Sequence, residues 1–299
     1  MKTVLIGSVI SGRVMLEAMI QSNIPVDMIF SLDERYAANV SGYSPIHELA
    51  AEKGIPYTKF HRIGDEENVA LLRDLAPDYI FVIGLSQLVD KRILEIPRKG
   101  VVGFHPTPLP KFRGRAAMVW QVLLGVRETA CTLFMLDEGM DSGDILGQEP
   151  YLIGENDYAA DVERTLCEAM RRLFPRVLRG LAEESIVPRP QNEADASYLL
   201  IRRPEDGQID WKQPMADIHR LVRAVSRPYP GAFGLYDGAH PITVWRAEMR
   251  ENPNIIGIPG QICRVDADTF DVLCTDGILH VTEFDNPDNV KLLVGHKLK

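Results

Sequence analysis

One histidine and one carboxylate in this chain are spaced for acid–base chemistry. His105 closes an apolar run over 100–104 and opens a loop with proline at 106, 108 and 110. Alternating prolines fix φ and remove backbone donors, so the loop is neither helix nor central strand but a stiff turn that holds its histidine in one pose. A second apolar run, over 129–136, ends in the acidic, glycine-punctuated stretch Asp137-Glu-Gly-Met-Asp141-Ser-Gly-Asp144. In a parallel sheet ligands bind at the carboxyl ends of the strands, and two such ends would offer His105 and Asp141 to one crevice. There the carboxylate orients the imidazole and stabilises its cation. The plainer alternative is a buried turn in which His105 is merely hydrogen-bonded, because one histidine alone specifies no chemistry.

Between the two lies a basic knot, Lys111, Arg113 and Arg115, in an otherwise acidic chain. Guanidinium groups present planar donors matched to phosphate, so a phosphate-bearing ligand is one candidate partner and a solvated surface patch is the other reading. Asp137, Glu138 and Asp144 alternate with glycines as in some cation sites. The spacing of a calcium loop is absent, and no metal is expected.

The elements that must position these residues follow in order. Apolar runs over 4–7, 25–31, 56–60 and 78–83 read as strands, and 13–21, 46–53 and 66–75 as helices, with a turn over 8–12 and a polar loop over 33–45. This alternation predicts an α/β fold with a doubly wound, mostly parallel sheet. The dinucleotide pattern G-x-G-x-x-G is missing from the first turn. A long amphipathic helix is expected over 157–181, and the polar, proline-containing stretch 183–197 is the best linker candidate. Beyond it Pro214 suits a first helical residue, 227–233 reads as a turn-rich crossing, and short strands over 242–247, 260–265, 270–274 and 278–284 suggest a small barrel. The expected domains are 1–190, catalytic, and 204–299, a small β-barrel, joined by 191–203.

At 299 residues the chain has room for two cores, and its net charge of −9 disfavours a general nucleic-acid surface. No apolar run is long enough to span a membrane. The apolar start is interrupted by Gly7, Ser8, Ser11, Gly12 and Arg13, which fits a strand and turn better than a signal peptide. Cysteines 131, 167, 263 and 274 are too scattered for a metal or redox pair and read as reduced core thiols of a cytoplasmic protein.

The stretch G-F-H-P-T-P-L-P-K-F-R-G followed by Asp141-Ser142-Gly143 resembles the signature of the 10-formyltetrahydrofolate-dependent formyltransferases, N-x-H-x-S-L-L-P-x-x-R-G and then D-x-G. The segments DGQIDWKQP and VRAVSRPYPGAF extend the resemblance to the C-terminal domain, which in that family is an oligonucleotide-binding-like barrel. The resemblance implies formyl transfer from 10-formyltetrahydrofolate to a primary amine, with His105 and Asp141 catalytic. It also implies that Gly84, Leu85, Ser86, Gln87, Leu136, Asp137 and Gly139 line the folate pocket, and that Thr107, Lys111, Arg113 and Arg115 face the acceptor. From the residues alone, 84–87 is equally an ordinary turn between strand and helix. The acceptor expected is a nucleotide-linked amino sugar, as in the UDP-4-amino-4-deoxyarabinose formyltransferases. The methionyl-tRNA formyltransferases grip RNA with a basic insertion that the 33–45 loop lacks. One departure stands out: Gly103 replaces the asparagine whose amide polarises the formyl oxygen. A hydrolase of 10-formyltetrahydrofolate, whose pattern also lacks that asparagine, and a non-catalytic folate or nucleotide binder are therefore alternatives.

Overall fold

A computed structural model describes residues 1–252 and 254–299. The chain forms two compact units, the first comprising Met1–Ala117, Glu128–Leu152 and Arg164–Leu199, the second Met118–Arg127, Ile153–Glu163 and Leu200–Lys299. Among the described residues no helix is long and apolar enough to cross a membrane.

In the first unit the apolar runs alternate with helices: β1 (Thr3–Gly7), α1 (Ile10–Gln21), β2 (Met28–Leu32), α2 (Ile46–Glu52), β3 (Tyr57–Phe60), α3 (Glu66–Leu75), β4 (Tyr79–Ile83), the short α4 (Lys91–Leu94) and β5 (Gly100–His105). The five strands pair in parallel in the order β3-β2-β1-β4-β5. The central strands β1 and β4 are buried along their whole length, which is why they read as unbroken apolar runs rather than alternating ones. The 8–12 segment, expected as a turn, is instead largely helix, because α1 begins at Ile10. Gly7 and Gly12 serve close packing there: a Cβ on either would lie 2.8 and 3.0 Å from the Ile83 carbonyl oxygen.

Then come the two-residue β6 (Arg113–Gly114), α5 (Ala117–Leu123), β7 (Glu128–Met135), β8 (Ile145–Leu152), α6 (Ala159–Ala182) and β9 (Tyr198–Leu199). Here the sequence-based expectation needs correction. β7 runs antiparallel to β5, with Thr132 opposite His105 and Met135 opposite Val102, and β8 is antiparallel to β7. The end of β7 is thus level with the start of β5 rather than with His105, and the acidic loop after it must climb back along the sheet. The 191–203 stretch, expected as a linker, belongs to the first unit up to Leu199. Arg189 and Ile145 exchange backbone hydrogen bonds, and β9 pairs in parallel with β6.

The second unit adds α7 (Met215–Val225) and the strands β10 (Ala232–Tyr236), β11 (His240–Arg250), β12 (Ile262–Val265), β13 (Phe270–Leu273) and β14 (Ile278–Asp285). They form an antiparallel sheet in the order β10-β11-β14-β13-β12. Bridges from Tyr236 to Leu298 and from Gln261 to Lys297 place the last residues between its two edges, giving it the character of a barrel. β10 begins in the last two residues of the expected crossing and runs on to Tyr236. His219 of α7 donates from Nε2 to the Ala247 carbonyl at 3.1 Å, and Ser226 donates to the Trp245 carbonyl at 2.9 Å, pinning the helix to β11.

Candidate active site

The proline loop is stapled from behind. Thr132 and Gln148, on β7 and β8, donate to the carbonyls of Thr107 (2.6 Å) and Leu109 (2.9 Å), and Tyr151 donates to that of Pro106 (3.0 Å). Thr107 is fully buried and its hydroxyl donates to the Lys111 carbonyl at 2.8 Å. A threonine enclosed this way braces the loop and does not reach an acceptor, which corrects its expected role.

His105 ends β5 and donates from Nε2 to the Phe112 carbonyl at 2.7 Å. A carbonyl only accepts, so Nε2 carries the hydrogen and Nδ1 is the nitrogen left to face outward. Nδ1 lies 3.6 Å from Oδ2 of Asp141, the imidazole 7% and the carboxylate 22% exposed. The same oxygen accepts the Gly114 N–H at 2.8 Å. Among the described residues no hydrogen bond reaches the other oxygen, Oδ1. The structure therefore brings His105 and Asp141 together even though β7 is reversed.

The basic knot divides. Arg113 is 1% exposed and its guanidinium is enclosed by Glu193 (2.7 and 2.9 Å), Gln191 (2.8 and 3.1 Å) and the Tyr198 hydroxyl (3.2 Å). Hydrogen bonding to Glu193 raises the guanidinium pKa further and lowers that of the Glu193 carboxyl. Arg113 is a clamp within the fold, which corrects its expected role as a ligand group: successive residues of an extended segment face opposite ways, and this one faces inward. Lys111 and Arg115 are exposed, and Arg115 donates to the Ser86 carbonyl at 3.2 Å.

The residues expected along a folate pocket are spread over two loops. Gly84 has φ +69°, and a Cβ there would lie 2.4 Å or less from Val9 and Ser11, so only glycine makes this turn. Leu85 and Leu136 pack on the apolar core under the sheet. Gln87 donates to the His61 carbonyl (2.7 Å) and accepts the Ile63 N–H (2.9 Å), beside a polar cavity of about 460 Å³ lined by His61, Arg62, Gly64, Asp65, Gln87 and Leu88. Asp137 accepts from the Gly139 N–H (2.9 Å) and the Ser142 hydroxyl (2.8 Å), closing the acidic turn on itself.

Gly103 points into filled space. A Cβ there would meet Leu136 at 2.7 and 2.9 Å and Phe134 at 3.1 Å, so the volume an asparagine amide would occupy holds a leucine. Sequence reasoning missed Gln191, Glu193, Ser197 and Tyr198, all in the expected linker. Ser197 accepts the Phe112 N–H at 2.9 Å and, through its carbonyl, the Arg113 N–H at 2.9 Å. Their only sequence signal is a polar, proline-bracketed stretch, which reads as a connection.

Solved structures share this fold at low identity. HypX from Aquifex aeolicus in complex with tetrahydrofolic acid is 17% identical with a TM-score of 0.68, over 95% of this chain and 44% of that one. An N-formyltransferase from Helicobacter canadensis in complex with folinic acid and dTDP-3-aminofucose is 17% identical with a TM-score of 0.66, over 95% and 100%. Methionyl-tRNA formyltransferase from Clostridium thermocellum is 20% identical with a TM-score of 0.58, over 93% and 100%. The chain thus spans less than half the length of HypX. Residues 1–178 match the formyl transferase family and 202–293 its C-terminal domain; the chain belongs to the formyl transferase family of enzymes.

Proposed function

We propose that this enzyme moves a formyl group from 10-formyltetrahydrofolate to the primary amine of a nucleotide-linked amino sugar. The observation that carries this reading is the Asp141 carboxylate, which accepts the Gly114 N–H through Oδ2, stands 3.6 Å from Nδ1 of His105 and, among the described residues, takes no hydrogen bond at Oδ1. The acceptor amine attacks the formyl carbon, a carbon–nitrogen bond forms, and the nitrogen must lose a proton before the bond to N10 of the folate breaks. Asp141 Oδ1 takes that proton, the lone pair on Nδ1 of His105 stands beside the carboxyl as a second acceptor, and the proton passes on to the departing N10. General acid–base groups of this kind contribute about 100- to 10,000-fold. Lys111 and Arg115 are the cations left to meet a diphosphate.

The net charge of −9 and the 33–45 loop favour a small acceptor over RNA. The loop's single cation, Arg35, is paired with Asp33 at 2.5 Å and holds that carboxyl well below the usual range, whereas an RNA grip requires clustered free cations. The filled space at Gly103 favours a second reading, hydrolysis, in which water replaces the amine and no side-chain amide serves the formyl oxygen. Tetrahydrofolate release from 10-formyltetrahydrofolate separates the readings. Acceptor-dependent release with dTDP- or UDP-amino sugars is expected; equal release without acceptor means a hydrolase, and dependence on methionyl-tRNA moves the acceptor to RNA. His105→Ala and Asp141→Asn should each lower turnover at least about 100-fold, and near-wild-type rates in both would remove the pair from the mechanism.

A further inference from the structure

The Asp141 backbone adopts φ +50°, a left-handed conformation that aspartate visits when hydrogen bonds support it. Here the turn is held from outside. Gln191 holds it with every hydrogen-bonding position of its amide. Nε2 donates to the carbonyls of Asp141 (2.8 Å) and Gly143 (2.7 Å), while Oε1 accepts from Nε (3.1 Å) and Nη2 (2.8 Å) of Arg113. The orientation is fixed by chemistry: a guanidinium only donates and a carbonyl only accepts. Arg113 is buried and tied to Glu193, so it is an immobile base for the amide. Its neighbour Gly114 supplies the N–H that grips the Asp141 carboxylate. One amide therefore couples the backbone of the D-S-G turn to the strand that holds the Asp141 side chain.

We propose that Gln191 is a positioning residue, which sets the Asp141 carboxylate against His105 by clamping the Asp141 and Gly143 carbonyls to Arg113. As a consequence for catalysis this rests on the formyl-transfer reading; as a statement about geometry it does not. Glutamate at this position separates the clamp from mere support. Gln191→Glu keeps the shape and strengthens the contact with Arg113, but it turns an oxygen with no hydrogen towards two carbonyl oxygens. If Gln191 only accepted hydrogen bonds from the buried guanidinium and packed against it, glutamate would serve as well.

The test has an arm that needs no turnover. The Gly114 amide is hydrogen-bonded by Asp141 Oδ2, so its hydrogen exchange in ¹⁵N-labelled protein reports whether the carboxylate is in place. Asp141→Ala calibrates full loss of that bond. Gln191→Glu and Gln191→Met are each expected to speed Gly114 exchange tenfold or more, with circular dichroism and the melting transition showing a folded protein. Gly114 exchange within twofold of wild type in folded Gln191→Glu overturns the inference whatever the activity. In the second arm, kcat for tetrahydrofolate release should fall 10- to 100-fold in Gln191→Glu with tetrahydrofolate Kd within twofold. Unchanged kcat despite faster Gly114 exchange means Asp141 is not the group that takes the proton, which overturns the catalytic consequence and the formyl-transfer roles but leaves the clamp standing.

Discussion

Replacing Gly103 by asparagine should destabilise this enzyme. Gly103 lies in β5, hydrogen-bonded between β4 and β7 with Val82 and Phe134 as its register partners, so its Cα cannot move aside. A Cβ would stand 2.7 and 2.9 Å from Leu136 and 3.1 Å from the ring of Phe134, which is 1% exposed. The ring is enclosed, so Leu136 must yield, and the asparagine amide needs more room still. Overpacking of this kind costs about 1–3 kcal/mol. At about 2 kcal/mol the first unit's melting temperature should fall by ~4–8 °C, the sensitivity of a domain of this size. Leu136→Ala alone also destabilises, because it removes a partly buried side chain. The two changes should not add: with Leu136 shortened the asparagine has a place, and the double variant should be more stable than the sum of the single effects by about 1–2 kcal/mol. Differential scanning calorimetry of the four proteins measures this cycle. A Gly103→Asn protein melting within 1 °C of wild type, or strict additivity with Leu136→Ala, would refute the claim that leucine fills the space beside Gly103.

Two further outcomes concern thiols and acid. Burial pushes the Cys131 and Cys274 thiols up to about 12, so a thiol reagent at pH 8 should label only the partly exposed Cys263 in folded protein and all four after denaturation; a second thiol reacting at a comparable rate contradicts this. Burial, reinforced by Arg223, lowers the pKa of His219, so the unfolded chain binds its proton first as acid is added. The stability His219 supports is complete above about pH 6.5 and declines as the pH falls below it; in His219→Gln the melting temperature of the second unit should therefore drop less between pH 7.5 and 5.5, and an equal drop would show that His219 is not the group that titrates.

Much of the first unit was legible because its central strands are buried on both faces and so spell continuous apolar words: Val4, Leu5 and Ile6, or Ile80, Phe81 and Val82. Helix ends were legible where a cap is chemical, as at Gly54, whose φ is +66°. The direction of β7 was not. A strand buried on both faces has the same composition whichever way it runs, and the segment before it, with a helix of its own, can return the chain to either end of the sheet. β10 was missed for a related reason. The proline- and glycine-rich 227–231 immediately before it signals a turn, and the strand's own residues, Ala-Phe-Gly-Leu-Tyr, carry only a short alternation.

The pairing of His105 with Asp141 was accessible from the sequence only as spacing, and the structure reaches it by a route that spacing does not encode. The acidic loop has to climb back along the sheet from the end of an antiparallel strand, and such a loop has no ladder of its own to fix its height. Its height is instead set by single hydrogen bonds: Ser142 to Asp137 within the turn and, from elsewhere, the Gly114 N–H to the Asp141 carboxylate and the Gln191 amide to the backbone carbonyls. The same requirement explains why one of three apparently equivalent cations is inside. Arg113 cannot serve an exchangeable ligand and also be the fixed point against which the amide of Gln191 is braced, and with 1% of its surface exposed it is the fixed point. Charge type on a loop states what a residue can bind; only its neighbours in space decide whether that partner comes from solution or from the chain itself.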